Sequence, residues 1–420
     1  MSGENPNDHG GARAADSHGL GPAGAGYDSC PLMPTYGPPQ LSIVSGHGSW
    51  VLDAHDNEYL DALCGLAVTS LGHANSAVAA AIRRQAHTLL HTSNLFANPI
   101  AGEVARELDV LIGDGTPAGG QVFFCNSGAE ANECAIKLAR RWAGPPRHEM
   151  VSAYGSFHGR TLATLHLTGQ PQKHEAFQPL PPGFRHVAFA DISDLDRALD
   201  ASRVAAVVLE SVQGEGGVNP LPVEYVKEVR RLCSERGVLL GFDEVQTGLG
   251  RTGRWFGFQH FDVEPDIVTV AKALGNGVPI GACWARREVA SAFRPGDHAT
   301  TYGGNALVTA AARAVLAEMR RLDVATLARE KGAQLRDSLS AVDGVGQVRG
   351  LGLLLAAELE PPLVAADVAA AALAAGLIVN AVNPTAIRLA PSLLVTDEEL
   401  ALIATRLARA ISAVASSQRD

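Results

Sequence analysis

The sequence of 420 residues lacks a cysteine framework: its six cysteines are scattered, and no Cys-x-x-Cys pair occurs. That spacing excludes both a disulfide-stabilised scaffold and a cysteine-based zinc site. The fourteen histidines show no metal-ligand spacing and the His-Glu-x-x-His motif is absent, so we predict no metal. We interpret the cysteines as small buried hydrophobic residues of a protein in a reducing compartment.

A surplus of positive charge is also missing. The formal net charge is -10 at pH 7, which argues against nucleic acids and anionic membranes as partners, because both bind basic surfaces. No apolar run approaches the ~20 residues that span a membrane. The N-terminus has neither the basic start nor the apolar core of a secretory signal. We therefore expect a cytoplasmic protein whose residues 1–27 form a disordered leader.

Short apolar runs without alternation recur through the middle of the chain. Such runs are typical of strands that are buried on both faces of a mostly parallel sheet. They lie at 121–125, 150–153, 205–209, 238–242 and 267–270. Between two of them, residues 222–236 show helical spacing of apolar positions, and Gly237 stands where a helix commonly ends. Strands and helices in alternation predict an α/β layered domain.

The composition changes after about residue 306, where the chain becomes rich in alanine and in helical patterns. Two strands are predicted in this part, at 377–381 and 386–389. A capping box at 396–399 begins the last helix. These features indicate a smaller second domain of helices and strands.

Lys272 follows the apolar strand at 267–270. Burying an ammonium without partners costs free energy, so such a site lowers the pKa of lysine and leaves an amine that attacks aldehydes. The alternative is an ordinary lysine that reaches solvent.

Asp243 follows the carboxyl end of strand 238–242, where open α/β sheets bind ligands. Such a carboxylate can pair with the ring nitrogen of pyridoxal 5'-phosphate (PLP), with Gln246 on its ring oxygen; the alternative is a turn or capping aspartate.

A turn of small residues, Ser127-Gly128-Ala129, joins strand 121–125 to a helical pattern. A strand, a small-residue turn and a helix N-terminus present backbone N–H groups that bind an anion such as phosphate. The alternative is a plain helix cap by Ser127.

The glycines at 248–253 formally match a dinucleotide-binding fingerprint. No strand directly precedes them and no long helix follows, which argues against a nucleotide site.

Together, these segments resemble the class III aminotransferases, which have the type I fold of PLP enzymes, and within them the acetylornithine aminotransferases. The matching stretches occur in the family's order. They lie at 33–37, 90–96, 124–133, 157–161, 213–217, 242–248, 300–305 and 388–392. The resemblance therefore covers the chain from residue 33 nearly to its end.

The resemblance implies a large PLP-binding domain at residues 76–306, in which a mostly parallel, seven-stranded sheet lies between helices. Residues 28–75 join a smaller α+β domain formed by 307–420. PLP is the implied cofactor. The resemblance also implies a homodimer with shared active sites, in which Thr301 reaches the phosphate held by the neighbouring subunit.

Cofactor-binding roles are implied at the matching positions. Lys272 carries PLP as a Schiff base, Asp243 pairs with the ring nitrogen and Gln246 contacts the ring hydroxyl. Phe157 stacks on one face of the ring, and Val245 packs on the other. The phosphate contacts are assigned to a single turn, that of Ser127, Gly128 and Ala129.

Four further residues are assigned to the substrates by the same resemblance. Arg388 binds the α-carboxylate of glutamate or 2-oxoglutarate. Arg160 binds the far carboxylate of glutamate and the α-carboxylate of acetylornithine, since a guanidinium binds a carboxylate with two parallel hydrogen bonds. Glu215 pairs with Arg388 when the amine donor is bound, and Thr300 contacts the substrate across the dimer. For either arginine the alternative is a structural salt bridge.

The implied reaction moves the side-chain amino group of N2-acetylornithine to 2-oxoglutarate. It gives N-acetylglutamate 5-semialdehyde and glutamate in ping-pong order, as a step of arginine biosynthesis, with Lys272 as general base and acid. Alternative donors are ornithine, succinylornithine, a precursor of the lysine pathway and 4-aminobutyrate. Outside this class, the alternatives are a PLP-dependent aminomutase or decarboxylase and a catalytically inactive PLP-binding protein.

The sequence departs from the family's pattern at four loop positions. Asn276 stands where the family commonly has glycine, and Ser211 replaces a proline. Ala299 replaces a glycine and Ala306 a proline. None of these changes removes a catalytic group, but they affect loops near the substrate, so the identity of the amine donor stays open.

Overall fold

The computed structural model describes residues 32–417 of the chain, and the leader expected at residues 1–27 lies outside them. The described strands, in chain order, are β1 (Ile43–His47), β2 (Trp50–Asp53), β3 (Glu58–Asp61), β4 (Gly120–Cys125), β5 (Glu149–Ala153), β6 (Phe184–Val187), β7 (Val204–Leu209), β8 (Val212–Gln213), β9 (Asn219–Pro220), β10 (Leu239–Asp243), β11 (Ile267–Val270), β12 (Gly281–Arg286), β13 (Val345–Leu351), β14 (Leu354–Leu359), β15 (Leu377–Ile378), β16 (Asn380–Asn383) and β17 (Ala386–Leu389).

Helices connect most of these strands. The described α-helices are α1 (Cys64–Ala67), α2 (Ser76–Ala86), α3 (Pro99–Ile112), α4 (Gly128–Ala143), α5 (Leu162–Leu167), α6 (Ile192–Ala198), α7 (Val223–Arg236), α8 (Arg287–Ala290), α9 (Ala306–Arg321), α10 (Val324–Ser340), α11 (Ala365–Ala374) and α12 (Asp397–Ser417). Short 3-10 turns are found at Pro171–Lys173, Glu175–Phe177, Gly257–His260 and Lys272–Leu274.

Seven strands form the central sheet, in the spatial order β4-β12-β11-β10-β7-β5-β6. Strand β12 is antiparallel to both of its neighbours, and the other six strands run parallel to one another. Strands β7, β10 and β11 are buried along their whole length, as strands of a sheet covered on both faces must be. The predicted α/β fold with a mostly parallel, seven-stranded sheet is confirmed.

Two strands of this sheet, β6 and β12, were not predicted from the sequence. The other five were predicted to within one residue at each end. Strand β6 lies at the edge of the sheet and is half-buried over Phe184–His186. It carries Arg185 and His186, so it forms no apolar run. Strand β12 is almost fully buried but begins with Gly281 and ends with Arg286. Its apolar run is therefore too short to stand out.

Two helices show how local sequence builds the layers. Helix α7 buries apolar side chains at helical spacing and ends at Gly237, whose φ of 59° lies in the left-handed region. Glycine adopts this conformation without a steric cost. Helix α4 begins at Gly128, soon after the end of β4, and packs on β4, β11 and β12. Its N-terminus therefore lies at the edge of the sheet where the parallel strands end.

The C-terminal part contains an antiparallel sheet of spatial order β13-β14-β17-β16, against which α10 and α11 pack. Helix α12 packs in turn on α10 and α11. It begins with the predicted capping box, because the Glu399 N–H donates to Thr396 Oγ1 at 3.2 Å and the Thr396 N–H donates to Glu399 Oε2 at 2.9 Å. The predicted strand at 386–389 is present as β17. The single strand predicted at 377–381 is wrong, because this stretch is divided between β15 and β16, which belong to different sheets. Strands β13 and β14 were not predicted.

Helix α12 is long and apolar enough to cross a membrane by length and composition alone. Leu400, Ile403 and Leu407 on one of its faces are buried inside the protein, and Arg406 and Arg409 interrupt the apolar stretch. These features are those of a core helix that packs against α10 and α11.

The sheet β1-β2-β3-β15 joins distant parts of the chain. Strand β3 pairs in parallel with β15, so that Leu60 lies opposite Leu377. This pairing supports the assignment of residues 28–75 to the same unit as the C-terminal part. The division into segments 28–75, 76–306 and 307–420 stays a prediction.

Candidate active site

The carboxyl ends of the parallel strands surround a cavity of about 390 Å³. Parallel strands present their carboxyl ends at one edge of the sheet, and ligands of open α/β sheets bind there. Most of the side chains singled out in the sequence line this cavity: Ser127, Gly128, Ala129, Phe157, Arg160, Glu215, Asp243, Val245, Gln246 and Lys272. Within residues 32–417, no cluster of His, Cys, Asp and Glu has a metal-binding arrangement.

Lys272 follows β11 and reaches into the cavity. Its amino group forms no hydrogen bond with any described residue, and burial lowers the pKa of Lys272, although Glu215 and Asp243 oppose the shift. The residue has a φ of 43°, a left-handed conformation that costs a non-glycine residue roughly 1–2 kcal/mol. Such strain clusters at functional sites. The amine is therefore positioned, unpaired and easier to deprotonate than an ordinary lysine.

Asp243 is buried at the end of β10 and is held by three donors. Its Oδ2 accepts hydrogen bonds from Asn132 Nδ2 and His158 Nδ1, both at 2.8 Å, and its Oδ1 accepts one from the Val245 N–H at 3.1 Å. Burial alone would lower the pKa of His158, but the hydrogen bond and charge of Asp243 raise it. The network holds a carboxylate in one orientation toward the cavity.

Asn132 and His158 bond to Asp243 but were not among the residues singled out in the sequence. Asn132 Nδ2 also donates to the His158 carbonyl at 2.7 Å, and Asn132 Oδ1 accepts from Thr269 Oγ1 at 2.7 Å. The signal available was weak. His158 stands between Phe157 and Arg160, two residues that were assigned roles, and Asn132 is a polar residue on the buried face of α4.

The turn before α4 has both of the properties considered for it. Ser127 caps the helix, because its Oγ accepts a hydrogen bond from the Glu130 N–H at 3.2 Å. Gly128 and Ala129 are the first two residues of α4, so their N–H groups have no acceptor within the helix. A Cβ on Gly128 would lie 2.8 Å from Val245 Cγ1. Glycine is therefore required for the turn to approach Val245 this closely.

Phe157 and Gln246 complete the same end of the cavity. The ring of Phe157 is half-buried and has the Arg160 guanidinium 5.5 Å and the Lys173 amine 5.9 Å from its centroid. Gln246 is buried, and its Oε1 has no partner among the described residues. An unpaired buried oxygen is costly, so this amide is available to a bound group.

The two arginines are in different states, and of the two only Arg160 lines the cavity. Arg160 is exposed and forms no hydrogen bond or ion pair with residues 32–417. Arg388, on β17, is only 2% exposed, and its Nη1 lies 2.6 Å from Glu215 Oε1. Burial would raise the pKa of Glu215, but the ion pair with Arg388 lowers it. One arginine is therefore free, and the other is neutralised by a residue that lines the cavity.

Thr300 and Thr301 do not line the cavity formed by the described residues. Thr300 Oγ1 accepts hydrogen bonds from the Gly303 N–H at 3.1 Å and from Asn126 Nδ2 at 3.4 Å, which places it next to the turn before α4. Thr301 is exposed. The roles expected for these two residues stay predictions.

The model of the aminotransferase class-III family matches residues 33–411. The chain belongs to the class III aminotransferases. This class III aminotransferase is 48% identical over 374 residues to the acetylornithine aminotransferase of Corynebacterium efficiens, a match that covers 88% of this chain and 92% of that protein. The family expected from the sequence is confirmed.

Two solved structures show the same architecture. The ornithine aminotransferase from Toxoplasma gondii, in which PLP partially occupies the active site, matches with a TM-score of 0.87 and 34% identity, over 94% of this chain and 95% of that one. The N-acetylornithine aminotransferase from Stenotrophomonas maltophilia K279a matches with a TM-score of 0.79 and 36% identity, over 91% and 98%.

PLP, the cofactor typical of class III aminotransferases, fits the residues of this cavity. An unpaired amine, a buried carboxylate and an unpaired buried amide face the cavity from Lys272, Asp243 and Gln246. The turn before α4 adds free N–H groups for a phosphate. The expected cofactor is therefore confirmed for this class III aminotransferase.

Two of the departures from the family's pattern have structural explanations. Asn276 has a φ of 47° and replaces a glycine, and asparagine is among the residues that tolerate this conformation. Its Oδ1 accepts from the Leu71 N–H at 2.8 Å, and its Nδ2 donates to the Gly72 carbonyl at 3.1 Å. Ser211 Oγ donates to Glu244 Oε1 at 2.6 Å. Both residues therefore stabilise loops that flank the cavity.

Proposed function

We propose that this class III aminotransferase transfers the side-chain amino group of N2-acetylornithine to 2-oxoglutarate, giving N-acetylglutamate 5-semialdehyde and glutamate. The reaction is a step of arginine biosynthesis. Its relative from Corynebacterium efficiens, at 48% identity, is named an acetylornithine aminotransferase, which supports the proposed amine donor. The enzyme would act in the cytoplasm, a location that the five described, free and buried cysteines support.

The observation that carries the proposal is the contrast between Arg160 and Arg388. A donor with its single carboxylate far from the reacting amine needs one cation, and Arg160 is unpaired. An acceptor with two carboxylates needs a second cation, and Arg388 becomes available when Glu215 moves away from it. Guanidinium groups bind carboxylates through paired, charge-assisted hydrogen bonds. The cavity therefore suits a monocarboxylate amine and a dicarboxylate oxoacid in turn.

Each residue then has a defined task. When bound, PLP supplies an electron sink for the carbon that bears the amino group. Lys272 Nζ removes a proton from that carbon as a general base and then donates it as a general acid. Its lowered pKa favours the first of these steps, because the free amine is the base. Asp243 holds a negative charge toward the ring nitrogen, and Asn132 and His158 fix its orientation.

Further cofactor contacts are proposed for the residues around Asp243. Phe157 and Val245 pack on the two faces of the ring, and Gln246 binds the ring hydroxyl. Phe157 is half-buried beside the cavity, and Gln246 Oε1 is unpaired, which supports these roles. The phosphate is assigned to the turn before α4: Ser127, Gly128 and Ala129.

The same proposal includes a homodimer with shared active sites. An exposed apolar surface lies around Thr301, and its members are Leu89, Leu90, Leu95, Phe96 and Tyr302. Apolar groups of this kind mark protein–protein contacts. In the dimer, Thr301 would reach the partner's phosphate and Thr300 the partner's substrate. Light scattering on the purified enzyme is expected to give the mass of a dimer or of a multiple of it.

The donor is tested by steady-state kinetics with 2-oxoglutarate and four amines: acetylornithine, ornithine, succinylornithine and 4-aminobutyrate. We expect the highest kcat/KM with acetylornithine, because its acylated α-nitrogen removes a positive charge that ornithine would bring next to Arg160. A higher kcat/KM with ornithine, succinylornithine or 4-aminobutyrate would refute the proposed donor but leave the aminotransferase assignment intact. Absence of amino transfer from all four would refute the proposed reaction.

A further inference from the structure

Asn380 contacts one terminal nitrogen of Arg388, and Glu215 contacts the other. Strands β16 and β17 pair in antiparallel register with Asn380 directly opposite Arg388. Directly opposed residues of an antiparallel pair project from the same face of the sheet and lie close enough to interact. Asn380 Oδ1 accepts a hydrogen bond from Arg388 Nη2 at 2.8 Å. The contact is therefore a consequence of strand register.

The donors of Arg388 are divided between its neighbours. Nη1 donates to Glu215 Oε1 at 2.6 Å and to the Gly214 carbonyl at 3.2 Å, and Nη2 donates to Asn380. Nε is buried and has no partner among the described residues. Glu215 supplies the negative charge in this set, whereas Asn380 and the Gly214 carbonyl are neutral acceptors.

We infer that Asn380 is a positioning residue. It keeps the Arg388 guanidinium oriented while the ionic partner of Arg388 changes from Glu215 to the carboxylate of the acceptor. This inference rests on the proposed role of Arg388. When Glu215 withdraws, the bonds to Asn380 and the Gly214 carbonyl remain. Arg388 is 2% exposed, so solvent cannot replace a lost acceptor, and an unpaired buried donor is costly.

The neutrality of Asn380 matters as much as its hydrogen bond. An aspartate at this position would place a permanent negative charge against Arg388 and compete with every incoming carboxylate. An alanine would leave Nη2 with one acceptor fewer and let the guanidinium turn. Asparagine gives Arg388 an acceptor and leaves its charge available to the substrate.

The test compares Asn380→Asp and Asn380→Ala in the holoenzyme with a matched control, Asn383→Asp. The control adds the same charge to the same strand, but Asn383 Oδ1 bonds to the Thr385 N–H and does not contact Arg388. Single-turnover rates are measured separately for acetylornithine and for 2-oxoglutarate. A role limited to general stability would move both half-reactions together.

We expect Asn380→Asp to raise the half-saturating concentration of 2-oxoglutarate at least about tenfold, and Asn380→Ala to raise it roughly three- to tenfold. The acetylornithine half-reaction should stay close to that of the parent enzyme in both, and both half-reactions should do so in Asn383→Asp. Equal losses in both half-reactions, or an unchanged 2-oxoglutarate half-reaction in Asn380→Asp, would overturn the inference. If Asn380→Asp does not fold, Asn380→Ala decides by the same criterion.

Arg388→Ala separates this inference from the proposed function. Loss of the 2-oxoglutarate half-reaction in Arg388→Ala together with an unaffected Asn380→Asp would refute the role of Asn380 alone. An intact 2-oxoglutarate half-reaction in Arg388→Ala would refute the carboxylate-binding role of Arg388 and with it the proposed division of the cavity.

Discussion

Glu210 and Glu215 line the same cavity, and their surroundings move their pKa values in opposite directions. Burial raises the pKa of Glu210 to about 8, because it outweighs the attraction of His158. Burial acts in the same direction on Glu215, but the ion pair with Arg388 lowers the pKa of that carboxyl. Glu210 therefore keeps its proton to a higher pH than an ordinary glutamate, whereas Glu215 loses its proton at a lower pH.

The same contrast separates two groups of residues at the site. We call Asp243, Asn132 and His158 the cofactor end, and Arg160, Glu215 and Arg388 the carboxylate end. At the cofactor end, Asp243 is held by Asn132 and His158 at 2.8 Å, and all three are buried. At the carboxylate end, Arg160 is unpaired and Arg388 pairs with a half-buried glutamate. A fixed network suits a group that stays bound through both half-reactions. An ion pair that can open suits substrates that alternate.

The largest loss of kcat is expected when the negative charge of Asp243, at the cofactor end, is removed. Asp243→Asn keeps the size of the side chain but removes the negative charge that faces the ring nitrogen. We expect kcat to fall about 10²- to 10³-fold, as when other preorganised electrostatic contacts are lost. Asp262→Asn removes the same charge from an exposed position and is the control. A kcat for Asp243→Asn close to that of the control would contradict the assignment.

An intermediate effect is expected at the carboxylate end. Glu215→Gln leaves Arg388 without its counter-charge when the amine donor is bound. We expect kcat/KM for the donor to fall about tenfold, while the 2-oxoglutarate half-reaction is retained, because Arg388 stays available to the acceptor. Separate half-reaction measurements check this. Equal losses in both halves would show that Glu215 does not act as an exchangeable partner.

The smallest effect on turnover is expected from Glu210→Gln. Glutamine resembles the protonated carboxyl and can still accept the Phe157 N–H hydrogen bond, which is 3.1 Å long. Activity at neutral pH should therefore stay close to that of the parent enzyme. A large loss of activity would show that Glu210 acts as a charge.

Glu210 also predicts a pH dependence of stability. Its pKa in the folded protein, about 8, lies above the ordinary value of 4.5. The folded state therefore binds this proton more tightly, and the stability it contributes below about pH 4.5 is lost as pH rises toward about 8. The loss is at most about 1.4 kcal/mol per pH unit. Urea unfolding of the cofactor-free protein should show this slope in the parent and a smaller one in Glu210→Gln; identical slopes would contradict it.

The sequence predicts the parts of the site that depend on local pattern. Lys272 and Asp243 follow buried apolar strands, and Ser127 follows a third, so the fold and the edge of the sheet could be inferred from short runs of residues. Asn132 and His158 could not. They meet Asp243 across 111 and 85 residues of chain, and only the packing of α4 and of the segment after β5 brings them there.

The carboxylate end shows the same limit. The strand that carries Arg388 was predicted, but Asn380 was placed in a single strand at 377–381 that the structure divides into β15 and β16. The contact between Asn380 and Arg388 depends on the register of β16 and β17, which the pattern of apolar residues does not specify when the turn is irregular. The opposite pKa shifts of Glu210 and Glu215 are likewise products of tertiary surroundings. The sequence does not distinguish the pKa values of Glu210 and Glu215, because the difference arises from the ion pair between Glu215 and Arg388.

The central claim is that Lys272 is the residue that holds the cofactor, and it can be tested by borohydride reduction of the purified holoenzyme followed by peptide mass spectrometry. The account predicts a pyridoxyl group on the peptide that contains Lys272, and none on the protein in Lys272→Ala. Lys173 is the informative comparison, because its amine lies 5.9 Å from the Phe157 ring and burial lowers its pKa as well. A label on Lys173, or an unchanged label in Lys272→Ala, would contradict the account.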